Sequence, residues 1–344
     1  MTNSTRLPSV SHKWRGTIHK VKLNKQIVCL FVLSLLVGVV VQPRNALTET
    51  PYVLSAGGFD ADAYVSWPVI VAQAKEFFAK EEIQLRLIRT DRAMMGLMAE
   101  GLEIINVGAS AALLAGEKGA NLSMVYVLCD RPAEYMVLRK PLTTLRELEG
   151  ETIGVYQVPS TVQLFLKKHL QRNGLDLSKI TFRALGGSRE RFASLLAGQS
   201  SATLLSMTYA FRARQAGLKI VASPEDWERI PWNVVTFRKP WAEANSIVVV
   251  KYLRAIQLAT SWLYDPMNFD EAVRILTPLS RLDENTVRWG LRSSIDNRIF
   301  NLAKPNPATF QSFATWLVSE GVLPRPFNVA PLVDTRYYEL AVKR

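Results

Sequence analysis

Short apolar runs alternate along most of the chain with segments whose apolar residues recur at helical spacing, a pattern typical of α/β proteins. In residues 83–87, apolar and polar positions alternate as in a half-buried strand. Pro68 can open a helix that carries Ile70, Ala74 and Phe78 on one side. The first part of the pattern predicts strands at residues 52–56, 83–87, 104–107, 122–128 and 135–138, and helices at 68–80, 94–98 and 111–117.

The pattern starts again near Lys140 and Pro141. Strands are predicted at residues 152–156, 180–184, 202–205 and 219–222, and helices at 161–173, 189–197 and 209–215. After Pro231 the strand signal fades, and residues 247–264 predict one long helix. Three amphipathic segments follow at 270–276, 284–292 and 309–320. We therefore predict two α/β units followed by a helical C-terminal third.

The N-terminal 46 residues have a different character. Residues 27–41 are uncharged and apolar and follow Lys20, Lys22 and Lys25, the layout of a secretory signal. The apolar run is shorter than the roughly 20 residues that a membrane-spanning helix prefers. Two interpretations stay open, namely a signal sequence that is cleaved after Ala46 and an uncleaved signal anchor. Both predict export, so the protein is expected in the periplasm or another extracytoplasmic space.

Charge and composition exclude several function classes. The chain has 344 residues and a net charge of +12, but seven of its 42 Lys and Arg residues lie in the first 46 positions, where Asp and Glu are absent. The rest is only mildly basic, which does not indicate nucleic-acid binding. His169 and Cys129 are the only histidine and cysteine beyond residue 46. A Cys/His metal site or a histidine-based catalytic centre is therefore not expected, and no cofactor is predicted.

Four stretches resemble one known family in order and spacing. They are PVIVAQAKEFFAKEEIQLRL at 68–87, LRELEGETIGV at 145–155 with Ser160 after it, LLAGQSSATLL at 195–205, and Pro240 followed by the long helix. Together they resemble type II periplasmic solute-binding proteins of the nitrate, sulfonate, taurine and bicarbonate ABC importers.

The resemblance implies an α/β, two-lobed type II periplasmic binding protein fold with a helical C-terminal extension of lobe one. It implies a discontinuous lobe one at residues 51–138 and 232–344, lobe two at 139–231, and a ligand cleft between them.

Ligands of open α/β sheets sit beyond the carboxyl ends of strands, where helix N-termini present backbone N–H groups. Four such corners are candidates, and each could instead be an ordinary turn or helix cap. Arg131 could meet a carboxylate or sulfonate, or pair with a neighbouring acid. Tyr209, Trp232 and Asn233 lie where the chain would cross again between lobes. The corner candidates are Gly57, Gly58, Phe59, Tyr64 and Trp67; Gly108, Ala109 and Ser110; Ser160 and Thr161; Gly187 and Ser188.

The first hypothesis for function is a receptor that captures a small anionic solute, such as a sulfonate, carboxylate or oxyanion, by lobe closure and delivers it to an ABC permease. A second is a membrane-tethered sensory or accessory binding module. A third is an enzyme resembling the thiamine-pyrimidine-precursor synthases, which the single usable histidine disfavours. The expected partners are a small solute and a permease, with membrane contact only through an uncleaved N-terminal segment.

Overall fold

The computed structural model describes residues 51–60, 63–90 and 92–343. The predicted signal sequence or anchor, residues 1–46, lies outside this part of the chain. Among the helices of the described residues, none has both the length and the apolar character needed to cross a membrane.

The described residues form ten strands and thirteen α-helices. The strands are β1 Tyr52–Gly57, β2 Ile83–Ile88, β3 Ile104–Gly108, β4 Leu122–Cys129, β5 Glu134–Leu138, β6 Thr152–Val155, β7 Thr181–Ala184, β8 Ala202–Ser206, β9 Lys219–Ala222 and β10 Asn233–Arg238. The helices are α1 Trp67–Ala74, α2 Phe77–Lys80, α3 Ala93–Met98, α4 Ala109–Glu117, α5 Thr161–Arg172, α6 Ser188–Leu196, α7 Met207–Gln215, α8 Lys239–Ala244, α9 Ser246–Tyr264, α10 Phe269–Ser280, α11 Glu284–Asp296, α12 Pro307–Ser319 and α13 Arg336–Val342.

These strands make two five-stranded sheets within one compact unit. The first has the order β2-β1-β3-β10-β4, and the second has the order β7-β6-β8-β5-β9. Strands β1, β2 and β3 are parallel, as are β6, β7 and β8, because helices return the chain over the sheet. β10 is antiparallel to β3 and β4, and β5 is antiparallel to β8. The two α/β units predicted from the pattern thus correspond to two mixed sheets.

Strand β5 corrects the predicted position of the first crossing. The family resemblance implies that residues 135–138 belong to lobe one, whereas Glu134–Leu138 hydrogen-bonds within the second sheet. The chain therefore leaves the first sheet after Cys129 and enters the second at Glu134. A short buried run such as YMVL does not specify its partner, because the pairing depends on β8 and β9, which lie far along the chain.

Strand β10 was missed by the pattern. Val234, Val235 and Phe237 are buried, and so is Thr236 between them. A central strand that is covered on both faces shows no polar alternation, so periodicity alone does not distinguish it from other apolar segments. β10 returns the chain to the first sheet, beginning at Asn233.

The predicted helix 68–80 is divided at Lys75 and Glu76. Glu76 has φ 57°, a left-handed conformation that interrupts the helix, and α2 begins at the next residue, Phe77. The break allows both Phe77 and Phe78 to be buried, and Phe78 stacks on Tyr252 of α9 with 5.2 Å between ring centroids. Burial of each such ring stabilises the fold by about 1.5–3 kcal/mol, which offsets the local strain.

The C-terminal helices contact both sheets. α9, which the long apolar pattern predicted, packs against α1, α2 and α13. α11 packs against α7, where Gly290 permits close approach: a Cβ there would lie 2.1 Å from Met207 Sδ. α12 packs against α4, and its Trp316 contacts Phe165 of α5 edge-on at 5.5 Å. The helical third therefore spans both α/β units.

Candidate functional site

A cavity of about 580 Å³ lies between the two sheets, at the carboxyl ends of β3 and β6, and is called the cleft cavity below. Residues of both α/β units and of α12 surround it. The described lining is Gly108, Ser110, Ala111, Leu114, Tyr156, Gln157, Pro159, Ser160, Thr161, Val162, Trp232, Asn233, Phe313 and Val322. Its size falls within the range of about 300–1,000 Å³ that is usual for small-molecule sites.

The N-terminus of α4 forms one wall. Gly108 is extended at the N-cap, with φ −60° and ψ 135°, and α4 begins directly after it. The Ala109 N–H donates to the carbonyl of Trp232 at 2.9 Å, which ties this corner to the returning strand. The first N–H groups of a helix have no acceptor inside the helix. Ser110 and Ala111, in the first turn of α4, line the cleft cavity, so the partial positive charge of this helix N-terminus lies beside it.

The N-terminus of α5 forms the opposite wall. Ser160 is the N-cap, and its Oγ accepts the Gln163 N–H at 3.3 Å. Thr161 and Val162, at the first two helical positions, line the cleft cavity. Two helix N-termini from different sheets thus meet at one space. That arrangement favours an anionic or oxygen-rich group between them.

Aromatic side chains provide much of the remaining wall. Tyr156 follows β6 and is 51% exposed, whereas Phe313 of α12 is only 3% exposed. Trp232 packs edge-on against Phe165 with ring centroids 5.9 Å apart. Within the described lining there is no Lys, Arg, His, Asp or Glu, so the positive potential at this cavity is that of the two helix N-termini.

Two chain segments, residues 129–134 and 229–233, connect the sheets beside the cleft cavity and are called the crossing segments. The Trp232 N–H donates to Cys129 O at 3.0 Å, and the Ile230 N–H donates to Asp130 O at 2.7 Å. Arg229 pairs with the Asp130 carboxylate at 2.6 Å. Burial raises the pKa of Asp130, and hydrogen bonding from Arg229 opposes the rise. The crossing segments therefore support each other as a short two-stranded connection.

Several predicted site residues meet at the cleft cavity. Gly108, Ser110, Ser160, Thr161, Trp232 and Asn233 all belong to its lining. Ala109 is 1% exposed and lies behind the wall, holding Trp232 through its N–H. Candidates from three separate parts of the sequence are thus brought together.

The predicted corner after β1 lies elsewhere. Gly58 has φ +76°, and a Cβ on it would lie 2.1 Å from Asn106 O, so this glycine is required by the turn itself. A Cβ on Gly57 would lie 2.5 Å from Leu102 Cδ1. Phe59 lines another cavity of about 510 Å³, next to α1 and α10. Trp67 is fully buried in the core.

Tyr64 and Tyr209 line a third cavity of about 400 Å³, together with Ser206–Thr208 and Arg212. Tyr64 Oη accepts the Ala133 N–H at 2.8 Å, and burial raises its pKa. Arg212 stacks over the Tyr209 ring at 5.2 Å. This cavity lies beside the crossing segments, apart from the lining of the cleft cavity.

The last predicted residues have structural partners. Gly187 is the N-cap of α6, and Ser188 Oγ accepts the Ser206 N–H at 3.1 Å. Arg131 Nη1 donates to Pro224 O at 3.0 Å, while the Asp130 carboxylate is hydrogen-bonded by Arg229. Burial lowers the pKa of Arg131. The structure does not bring these side chains into the cleft cavity lining.

Sequence reasoning missed eight lining residues: Ala111, Leu114, Tyr156, Gln157, Pro159, Val162, Phe313 and Val322. Tyr156 and Gln157 follow the carboxyl end of β6 directly, and the same strand-end rule could have found them. Ala111 and Leu114 continue the α4 wall from Ser110 at helical spacing. Nothing local identifies Phe313, because α12 reaches the cavity only through tertiary packing.

The two sheets, their crossing segments and the cavity between them define a periplasmic binding protein fold, as predicted. The chain belongs to the NMT1/THI5-like family, whose family model matches residues 64–268. No curated protein matches the sequence at a significant level.

Solved structures show the same fold. The chain is similar to the periplasmic aliphatic sulphonate binding protein SsuA from Escherichia coli, with 18% identity and a TM-score of 0.70, covering 83% of this chain and 92% of that one. It is also similar to the periplasmic nitrate-binding protein NrtA from Synechocystis PCC 6803, with 14% identity and a TM-score of 0.67, covering 85% and 89%. The desulfurization enzyme DSZB matches with 12% identity and a TM-score of 0.64, covering 85% and 99%. The predicted fold class and the resemblance to the nitrate, sulfonate and taurine group are confirmed.

Proposed function

We propose that this protein is an extracytoplasmic solute-binding receptor of an ABC importer, which captures a small anionic solute between its lobes and delivers it to a permease. The observation that carries the proposal is the convergence of the α4 and α5 N-termini on one cavity. A solute that accepts hydrogen bonds from both helices would hold the lobes together. Two proteins of similar structure, a sulphonate-binding and a nitrate-binding protein, support an anion as the solute of this chain.

The described lining fits a protein that binds its solute better than an enzyme that converts it. Its polar side chains are hydroxyls and amides, which can orient a solute but are poor acids and bases near neutral pH. The buried Cys129 does not belong to the lining, and burial raises the pKa of its thiol, which disfavours the reactive thiolate. An enzyme like DSZB is the alternative on this fold. Mass spectrometry of a bound solute before and after prolonged incubation distinguishes the two, since a receptor returns its solute unchanged.

Lobe closure is part of the proposal. We place lobe two at about residues 134–231, so that it includes β5, and lobe one in the remaining described residues. The crossing segments, tied by the Ile230–Asp130 and Trp232–Cys129 hydrogen bonds, would act as the hinge. Residues 1–46 would direct export. The mass of the mature protein then separates a free receptor starting near Leu47 from a tethered module that retains Met1.

The test of the function is a binding screen with a matched pair of variants. Nitrate, sulfonates and carboxylates are added to dialysed protein, and thermal unfolding is followed. A ligand at 100 times its Kd stabilises the folded state by about 2.7 kcal/mol. Ser110→Asp places a carboxylate at the α4 N-terminus, where it favours the helix but repels an anion. Thr309→Asp adds the same charge in the first turn of α12, outside the lining.

The Tm of the unchanged chain and of Thr309→Asp is expected to rise with at least one anion. The Tm of Ser110→Asp is expected to stay the same with that anion. A complete absence of shifts across the screen contradicts the proposed function. Equal shifts in all three proteins would show that anions bind elsewhere.

A further inference from the structure

The cleft cavity is much larger than an inorganic oxyanion needs. Its volume of about 580 Å³ lies well inside the range of about 300–1,000 Å³ that is usual for sites of organic small molecules. Nitrate has only four heavy atoms, and the two helix N-termini can contact it using a small part of the lining. The rest of the cavity therefore leaves room for a solute body beyond the anionic group.

The walls around that extra volume are aromatic and apolar. Trp232 is supported by Phe165, and Phe313 packs against Trp316 at 6.1 Å, so both rings are held in place by protein contacts. Leu114, Val162 and Val322 complete the apolar lining. Walls of this kind bind flat apolar groups by burying their area and by offset stacking.

Tyr156 is the most exposed aromatic residue of the lining. It is 51% exposed immediately after β6, whereas Phe313 is 3% exposed and Trp232 is half-buried. Its ring lies on the lobe-two side of the cavity, whereas Phe313 belongs to the C-terminal extension. A planar solute between the lobes would cover the exposed Tyr156 ring. The amides of Gln157 and Asn233 can then meet polar substituents at its edge.

Resting on the proposed function, we infer that the solute is an aromatic anion, a ring bearing a sulfonate or carboxylate, and that Tyr156 is the specificity-determining residue that stacks on the ring. The anionic group meets the N-termini of α4 and α5, and the ring occupies the aromatic part of the cleft cavity.

The experiment compares matched probes by isothermal titration calorimetry: benzenesulfonate with methanesulfonate, and benzoate with acetate. Stacking and area burial predict Kd values at least tenfold lower for the ring-bearing member of a pair. Tyr156→Ala is expected to remove most of that preference, and Tyr156→Phe to keep it, because the ring face is retained. Val158→Ala is the control, since Val158 is equally exposed at 53% in the same loop but does not line the cavity.

Equal affinity for ring-bearing and alkyl anions, or an unchanged preference in Tyr156→Ala, overturns the inference and leaves the proposed receptor function standing. If nitrate binds and the ring-bearing probes do not, the inference is likewise overturned and the receptor function stands. If none of the anions binds, the proposed function and the inference both fail.

Discussion

Arg191 is the most informative site for testing how the second sheet is held together. It is only 4% exposed, and its guanidinium donates to the carbonyls of Leu204 and Gly187 and to Ser188 Oγ. These bonds join the start of α6 to the end of β8. Glu134 is its nearby acid: burial raises the pKa of Glu134, and the Arg191 charge opposes the rise.

Arg191→Met should lower the free energy of unfolding by about 3–5 kcal/mol, because it removes three hydrogen bonds and leaves a buried carboxyl without its counter-charge. That is a large part of the roughly 5–15 kcal/mol typical of a folded domain. Arg191→Lys should lower the free energy of unfolding by a smaller amount, because lysine keeps the positive charge and loses only the planar arrangement of donors. The measurement is urea unfolding of the purified chain at pH 7, followed by circular dichroism.

Arg189→Met is the matched control, because Arg189 is 81% exposed and pairs with Glu190 on the surface. Its expected effect is within about 0.5 kcal/mol. Combining Arg191→Met with Glu134→Gln should recover part of the loss, since no unpaired charge is left buried. If Arg191→Met costs no more than Arg189→Met, or if Glu134→Gln recovers nothing, the described role of Arg191 is wrong.

Three further predictions concern local features. Gly58→Ala should destabilise the fold by at least about 1–2 kcal/mol, because it forces φ +76° on a residue whose Cβ would meet Asn106 O; thermal unfolding checks this, and an unchanged Tm contradicts it. Ser160→Ala should cost about 1 kcal/mol through loss of the cap on Gln163 N–H; Ser160→Asp should retain stability in the same assay. Because the pKa of Glu134 is raised from its ordinary 4.5, its contribution to stability is greatest below that pH and is lost as the pH rises toward the raised value. Glu134→Gln should therefore flatten the fall in urea midpoint above pH 4.5, and an identical pH profile would count against a buried Glu134.

The local pattern predicted most helices and strands because their signals are short-range. α9 was predicted within one residue at its start, and the caps at Ser160 and Asn173 mark the ends of α5. The strand-end rule also predicted four of the cleft cavity lining residues, which are Gly108, Ser110, Ser160 and Thr161, and the expected second crossing between lobes predicted Trp232 and Asn233. These positions follow from where strands stop and helices start, which neighbouring residues decide.

Contacts between distant parts of the chain determined the order of the strands in the sheets and the remaining walls of the cleft cavity. The sequence by itself determined two α/β units, a helical C-terminal third and a body poor in catalytic side chains. Only the tertiary structure inserted β10 between β3 and β4, assigned β5 to the second sheet and brought Phe313 to the cleft cavity. Strand pairing and helix packing depend on partners that are distant in the sequence, as with Tyr135 Oη and Ser293 Oγ, which are 158 residues apart. Local periodicity indicates that a segment is buried, but the residues that cover it are determined only when the whole chain folds.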